Sequence, residues 1–182
     1  MAQEIYQVAL KDNIRENLSK QLNEKNPNAL PKLTKVVVSV GIGSMMQKSK
    51  DFSTVANNLT MLTGQKCVVK NAKLAISNFK LRKGMPVGLM VTLRGKKMYG
   101  FVSKLINVIF PRVRDFRGLA TNSFDGQGNY SIGLKEQTVF PEIRQDDDIM
   151  IHGLQITFVT TATSDEQGRA LLKEMGLPFH TK

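Results

Sequence analysis

The sequence predicts an α+β fold: a single mixed or antiparallel sheet with helices packed on one face, the other face open, and a long basic hairpin loop. Three observations carry this prediction. Period-two alternation over 35–41 and 88–93 marks strands, and apolar stripes at i, i+3, i+4, i+7 spacing over 52–62 and 98–109 mark helices. The elements follow one another as α-β-α-β-β-α-β-α, an order that suits one sheet covered on one side. The chain has 182 residues, 41% hydrophobic and 23% charged, enough for one domain over 1–182 with a proper core.

Ile5, Val8, Ile14, Leu18 and Leu22 recur at helical spacing, predicting a helix over about 3–24 that Asn26-Pro27 and Pro31 end. In Lys35-Val36-Val37-Val38-Ser39-Val40-Gly41, the residues Val36, Val38 and Val40 share one face and read as core. Ser39 then lies on the opposite face. Phe52, Val55, Ala56, Leu59 and Leu62 form a helical stripe that stops at Gly64. Two β-type runs follow, Cys67-Val68-Val69 and Gly88 to Leu93. In the second, Leu89, Val91 and Leu93 face one way, and Met90, Thr92 and Arg94 the other. Two strands therefore each present a hydroxyl, Ser39 and Thr92, away from the more apolar face. Met98, Phe101, Val102, Leu105, Ile106 and Ile109 give a further helical stripe closed by Pro111, and the Gly-rich run 112–140 predicts short strands and ordered loops. Leu154, Ile156 and Phe158 alternate as a last strand, and Ser164-Asp165-Glu166-Gln167 is a capping box for a final helix that stops at Gly176.

Net charge is +11, unevenly placed: residues 1–51 hold 8 bases and 5 acids, 52–114 hold 12 and none, and 115–182 hold 6 and 10. An even spread would put about five acids in the middle segment. A surface kept for solubility mixes both signs, whereas a one-sign field suits a polyanion that supplies the other. The basic loop is its centre, with Lys70, Lys73, Lys80, Arg82 and Lys83 interleaved with Ser77, Asn78 and Phe79. Taken alone, the loop could be a solvated hairpin; the acid-free field around it favours polyanion binding. Cys67 is the only cysteine, which excludes a disulfide framework and a cysteine-rich zinc site. The N-terminus is too charged for a signal peptide, and no apolar run reaches the roughly 18 residues of a membrane span, so a cytoplasmic protein without membrane contact is expected.

No catalytic constellation emerges. Gly41-Ile42-Gly43 lacks the third glycine and the later acid of a dinucleotide loop, and reads as a strand-to-helix turn. Lys97 to Lys104 resembles the RNP1 signature of RNA-recognition motifs, but Met98, Phe101 and Leu105 keep helical spacing, which buries Phe101 instead of offering it to bases. Asp146-Asp147-Asp148 lacks calcium-loop spacing, His152 and His180 have no partners at metal or triad spacing, and Cys67 in an apolar strand is expected to be inert. Neither a cofactor nor a metal is expected.

Several blocks together resemble the bacterial-type ribosomal protein L five family of the large subunit: Leu62-Thr63-Gly64-Gln65-Lys66, Phe79 to Pro86, Val91 to Gly95, Pro111 to Leu119, Ser123 to Tyr130 and Phe140 to Ile143. The resemblance runs from about Pro31 to Phe179, in order and at the right spacing. It implies a non-enzymatic ribosomal protein that binds 5S rRNA and attaches it to the central protuberance. Further implied partners are 23S rRNA, P-site tRNA, the small-subunit head protein S thirteen and other central-protuberance proteins. It implies a 5S site on the open sheet face at Ser39, Gln65 and Thr92, with Lys66 and Arg94 beside them. Ser39 departs from the family, which has an Asn there. The resemblance places the tRNA contact on Lys70, Lys73, Ser77, Asn78, Phe79, Lys80, Arg82 and Lys83, and the intersubunit bridge on Arg112, Arg114, Asp115, Arg117 and Arg144. The family usually reads Thr-Arg-Ala-Lys-Lys-Ser where this chain has Lys70-Asn71-Ala72-Lys73-Leu74-Ala75, and the acidic run at 146–148 also departs from it.

Overall fold

A computed structural model of the protein describes residues 14–24, 26–46, 52–143 and 151–180. Residues 14–22 are helical (α1), which agrees with the later part of the expected 3–24 helix; the earlier part lies outside the described residues. Then come β1 (Leu33–Gly41), the single turn α2 (Gly43–Met46), α3 (Ser53–Thr63), β2 (Val68–Asn71), β3 (Pro86–Leu93) and α4 (Gly95–Lys104). The helical path runs on through a π-type stretch, Leu105–Ile109, into α5 (Phe110–Arg112), and β4 (Tyr130–Leu134), β5 (Leu154–Thr160) and α6 (Asp165–Glu174) complete the chain. The strands form one open antiparallel sheet in the order β2-β3-β1-β5-β4. The fold is α+β, as expected.

By packing, the chain divides into two compact units, one made of Val37–Leu93 and Gly133–Ile156. In this unit the strand parity is as the sequence predicts. Val38, Val40, Leu89, Val91 and Leu93 are buried, while Ser39, Met90 and Thr92 alternate with them and remain partly exposed. Helix α3 packs on β3, presenting Val55, Leu59 and Leu62. It ends at Gly64, whose φ of +62° is left-handed and whose N–H bonds Thr60 O at 2.8 Å; a glycine meets that geometry without a Cβ penalty. The expected β-type run at Cys67-Val68-Val69 is strand β2 over Val68–Asn71. It lies at the sheet edge with all four residues exposed, Val68 at 57% and Val69 at 40%. Composition cannot tell an edge strand from a central one, because both favour β-branched residues.

The other unit contains the chain up to Val36, Arg94–Ile132 and the part from Thr157 on. Here Leu18, Leu30 and Leu171 form a buried cluster joined by Ile14, Leu22, Ala170 and Met175. Asn17 and Gln21 donate to the two oxygens of Glu174 at 3.1 and 2.7 Å. The α4 stripe is buried at Met98, Phe101 and Val102, which removes the base-stacking alternative for Phe101. Phe110 N–H bonds Leu105 O, a widened turn that accommodates Pro111, which has no N–H and would clash in a regular helix. The Gly-rich segment is ordered by a polar knot. Asp125 accepts from Gln127 N–H, Asn129 N–H and the Asn129 amide at 2.7–3.0 Å. The Asn129 side chain, first among these bonds, holds the Asp125 carboxyl below its ordinary range. Gly168 closes on the same loop: a Cβ there would meet Gly128 O at 2.5 Å. Ser164 accepts from Gln167 N–H as the predicted cap of α6.

Candidate nucleic-acid interface

Most of the interface is built on the acid-free segment 52–114, with Ser39 contributed by β1 from outside it. Ser39 from β1 and Thr92 from β3 lie on the face opposite the core because burial alternates along 36–41 and 88–93. The end of β1 meets the start of β3, where Ile42 N–H bonds Val87 O at 3.0 Å. Gln65 follows directly after the left-handed turn at Gly64, and its Nε2 donates to Thr92 O at 3.3 Å. Two of the three expected sheet-face residues are thus tied together. Lys66 is exposed next to Gln65. Arg94 is exposed at the start of α4 and falls in the other unit.

The basic loop is an ordered arm. The sheet persists as far as Asn71, so Lys70 belongs to β2 and not to the loop in which the sequence places it. The arm begins at Ala72, which is buried amid exposed neighbours. Ala72 N–H bonds Met85 O at 2.8 Å, and Gly84 N–H bonds Ala72 O at 3.0 Å. Farther out, Ile76 and Leu81 exchange both backbone bonds, at 2.9 and 3.1 Å. Between them Ser77–Phe79 make one 3-10 turn, closed by Lys80 at φ +51° with its N–H on Ser77 O. Phe79 stands 69% exposed at this tip, and Lys73, Ser77, Asn78, Lys80, Arg82 and Lys83 are exposed along the arm. Leu74 and Ile76 are exposed as well and extend the apolar element of Phe79 beside the cations.

The expected bridge residues Arg112, Arg114, Asp115 and Arg117 are all exposed around the end of α5. Phe116 stacks on Phe110, with ring centroids 5.2 Å apart and an interplanar angle of 10°. Asp115 adopts φ +53°, which lets the chain reverse there. Arg144 and Asp146-Asp147-Asp148 lie outside the described residues.

The remaining candidates have structural surroundings. His152 is buried, its N–H bonded to Gln137 Oε1 at 2.6 Å, and burial holds its imidazole below the ordinary value. His180 is exposed. Cys67 Sγ donates weakly to Ala56 O at 3.7 Å. Among the described residues, no group of three or more His, Cys, Asp or Glu could hold a metal ion, and no helix is long and apolar enough to cross a membrane.

Comparison with known proteins agrees with this picture. Residues 26–82 match the family described as Ribosomal protein L5, and residues 86–179 match the model of the same family's C-terminus. The chain is similar to "Large ribosomal subunit protein uL5" of Rippkaea orientalis, with 50% identity over 181 residues and 100% of both chains covered. It is 54% identical over 162 residues to the protein of that name from Thermotoga maritima, covering 89% of this chain and 88% of the relative. A third relative of the same name, from Dictyoglomus turgidum, is 52% identical over 162 residues, covering 89% of this chain and 90% of the relative. The chain therefore belongs to the ribosomal protein L5 family, structural constituents of the ribosome and not enzymes.

Proposed function

We propose that this large-subunit protein of the cytoplasmic ribosome binds 5S rRNA on its open sheet face and attaches it to the central protuberance, alongside 23S rRNA and neighbouring proteins. The carrying observation is the outward placement of the Ser39 and Thr92 hydroxyls, with Gln65 bonded to the Thr92 carbonyl and both Gln65 and Thr92 in the segment without acids. Small hydroxyls and amides reach ribose 2′-hydroxyls and base edges where an RNA groove is shallow, while nearby lysines supply affinity without sequence information. The arm, with Lys73, Lys80, Arg82 and Lys83 around Phe79, reaches P-site tRNA: its cations meet phosphates, and Phe79 with Ile76 adds apolar or stacking contact. Arg112, Arg114, Asp115 and Arg117 face the small-subunit head and its protein S thirteen. The decisive experiment is filter binding of 5S rRNA to a Thr92→Val variant. The change keeps the shape and removes the hydroxyl, so a ligand group left unpaired lowers affinity by about 1–3 kcal/mol. Unchanged affinity removes Thr92 from the site.

A further inference from the structure

The register of the sheet edge assigns a role to Lys70 that its place in the sequence hides. Strand β2 pairs antiparallel with β3, with Val68 across from Met90, Val69 from Leu89 and Lys70 from Gly88. Residues directly opposite on a ladder project to the same side of a sheet. Leu89 is buried on the core side, so Val69 points that way, whereas Val68, Met90, Lys70 and Gly88 share the open face with Thr92. The register then breaks: Asn71 lies opposite Pro86, leaving Val87 as the extra residue of a bulge. A bulge ends regular pairing and re-aims the chain. Lys70 is consequently the last residue in register before the arm departs, and its ammonium group belongs to the sheet face.

Gly88, directly opposite, leaves the floor beside Lys70 without a side chain. A Cβ built there would meet the Val40 backbone O at 3.3 Å, close enough that the backbone must give by a few tenths of an ångström, and no other atom of the described residues within 4 Å. A bare strand backbone next to an exposed cation suits close approach of a phosphodiester chain. Phe79 and Lys80, by contrast, sit beyond two successive backbone closures of the arm, at Ala72 and at Ile76–Leu81.

We infer that Lys70 and Gly88 form a phosphate-docking element for the RNA backbone on the open sheet face, separate from the arm. The inference rests on the reading of that face as the 5S rRNA site. Lysine supplies the charge, glycine the clearance, and the Ser39–Gln65–Thr92 group the contacts to sugar and bases.

The test measures 5S rRNA affinity of the full chain across a salt series for wild type, Lys70→Gln, Gly88→Ala, Lys80→Gln and Thr92→Val, each first checked for an intact thermal transition. Lys70→Gln should flatten the log-affinity against log-salt slope by just under about one unit, the contribution of one neutralised phosphate. Gly88→Ala should lower affinity without changing the slope, because it adds bulk and removes no charge. Lys80→Gln should leave both unchanged. An unchanged slope in Lys70→Gln, with Thr92→Val still weakened, overturns the docking element alone. An equal loss of slope in Lys80→Gln means a diffuse field and overturns the local assignment. If wild type shows no salt-sensitive 5S binding, the reading of the sheet face falls, and this inference with it.

Discussion

Gln65 closes onto Thr92: its side-chain amide donates to the Thr92 main-chain carbonyl at 3.3 Å. The bond ties the residue after the α3 turn to the strand that carries the outward hydroxyl. It leaves the amide oxygen as an acceptor and restricts the rotamers Gln65 would otherwise lose on binding RNA. Gln65→Ala should therefore weaken 5S rRNA binding by about 1–2 kcal/mol, part lost contact and part lost preorganisation. Because Gln65 is exposed, the thermal midpoint should hardly move. A variant that binds as well as wild type would show the amide to be a structural brace only.

The arm separates from the sheet at the Ala72, Gly84 and Met85 bonds. Replacing 73–83 by an Asn-Gly turn keeps Ala72 and Gly84 and gives a short hairpin suited to the strand twist. 5S rRNA affinity should stay nearly intact, while retention of P-site tRNA on assembled ribosomes should fall, most at raised salt. Loss of 5S binding in a folded variant would place the arm in the 5S site. Unchanged tRNA retention at every salt concentration would mean that Asn71, Leu74 and Ala75 have removed the contact in this protein.

Phe101 is 5% exposed on α4. Phe101→Ala should lower unfolding free energy by about 3–5 kcal/mol in a denaturant titration, through lost burial and a residual cavity. The folded fraction should bind RNA normally. A variant of normal stability and poor binding would restore the stacking role.

His152 gives a pH dependence. Burial depresses its folded pKa below the ordinary 6.5, and the Gly153 carbonyl at 3.3 Å opposes this only in part. The buried Nε2 has no hydrogen-bond partner among the described residues. The unfolded chain therefore binds a proton that the folded chain refuses. The stabilising effect is complete above the unfolded value and is lost as pH falls from about 6.5 toward the folded one. His152→Gln, which cannot titrate, should show a flatter loss of thermal midpoint between about pH 7 and pH 5 than wild type. Parallel curves for the two proteins would remove His152 as the source.

Much of the fold was legible because burial on one side of a strand or helix writes a period into the chain. Val36, Val38 and Val40 announced β1, Leu89, Val91 and Leu93 announced β3, and Val55, Leu59 and Leu62 announced α3. Parity also placed Ser39 and Thr92 on the open face, since it depends only on alternation along each strand. The acid-free segment and its polyanion preference are likewise properties of the linear sequence. The tertiary structure decided what depends on pairing between strands. The run at Val68 and Val69 reads as a strand without a place in the sheet, and only strand order put it at an edge with both side chains exposed. Gln65 joined Thr92 across 27 residues, a contact without local periodicity. Lys70 looked like the first residue of a loop, and only its register against Gly88 placed it on the sheet face. Local patterns determine which side a residue faces within its own strand, but which residue stands opposite is set by cross-strand hydrogen bonding and by where a bulge breaks it.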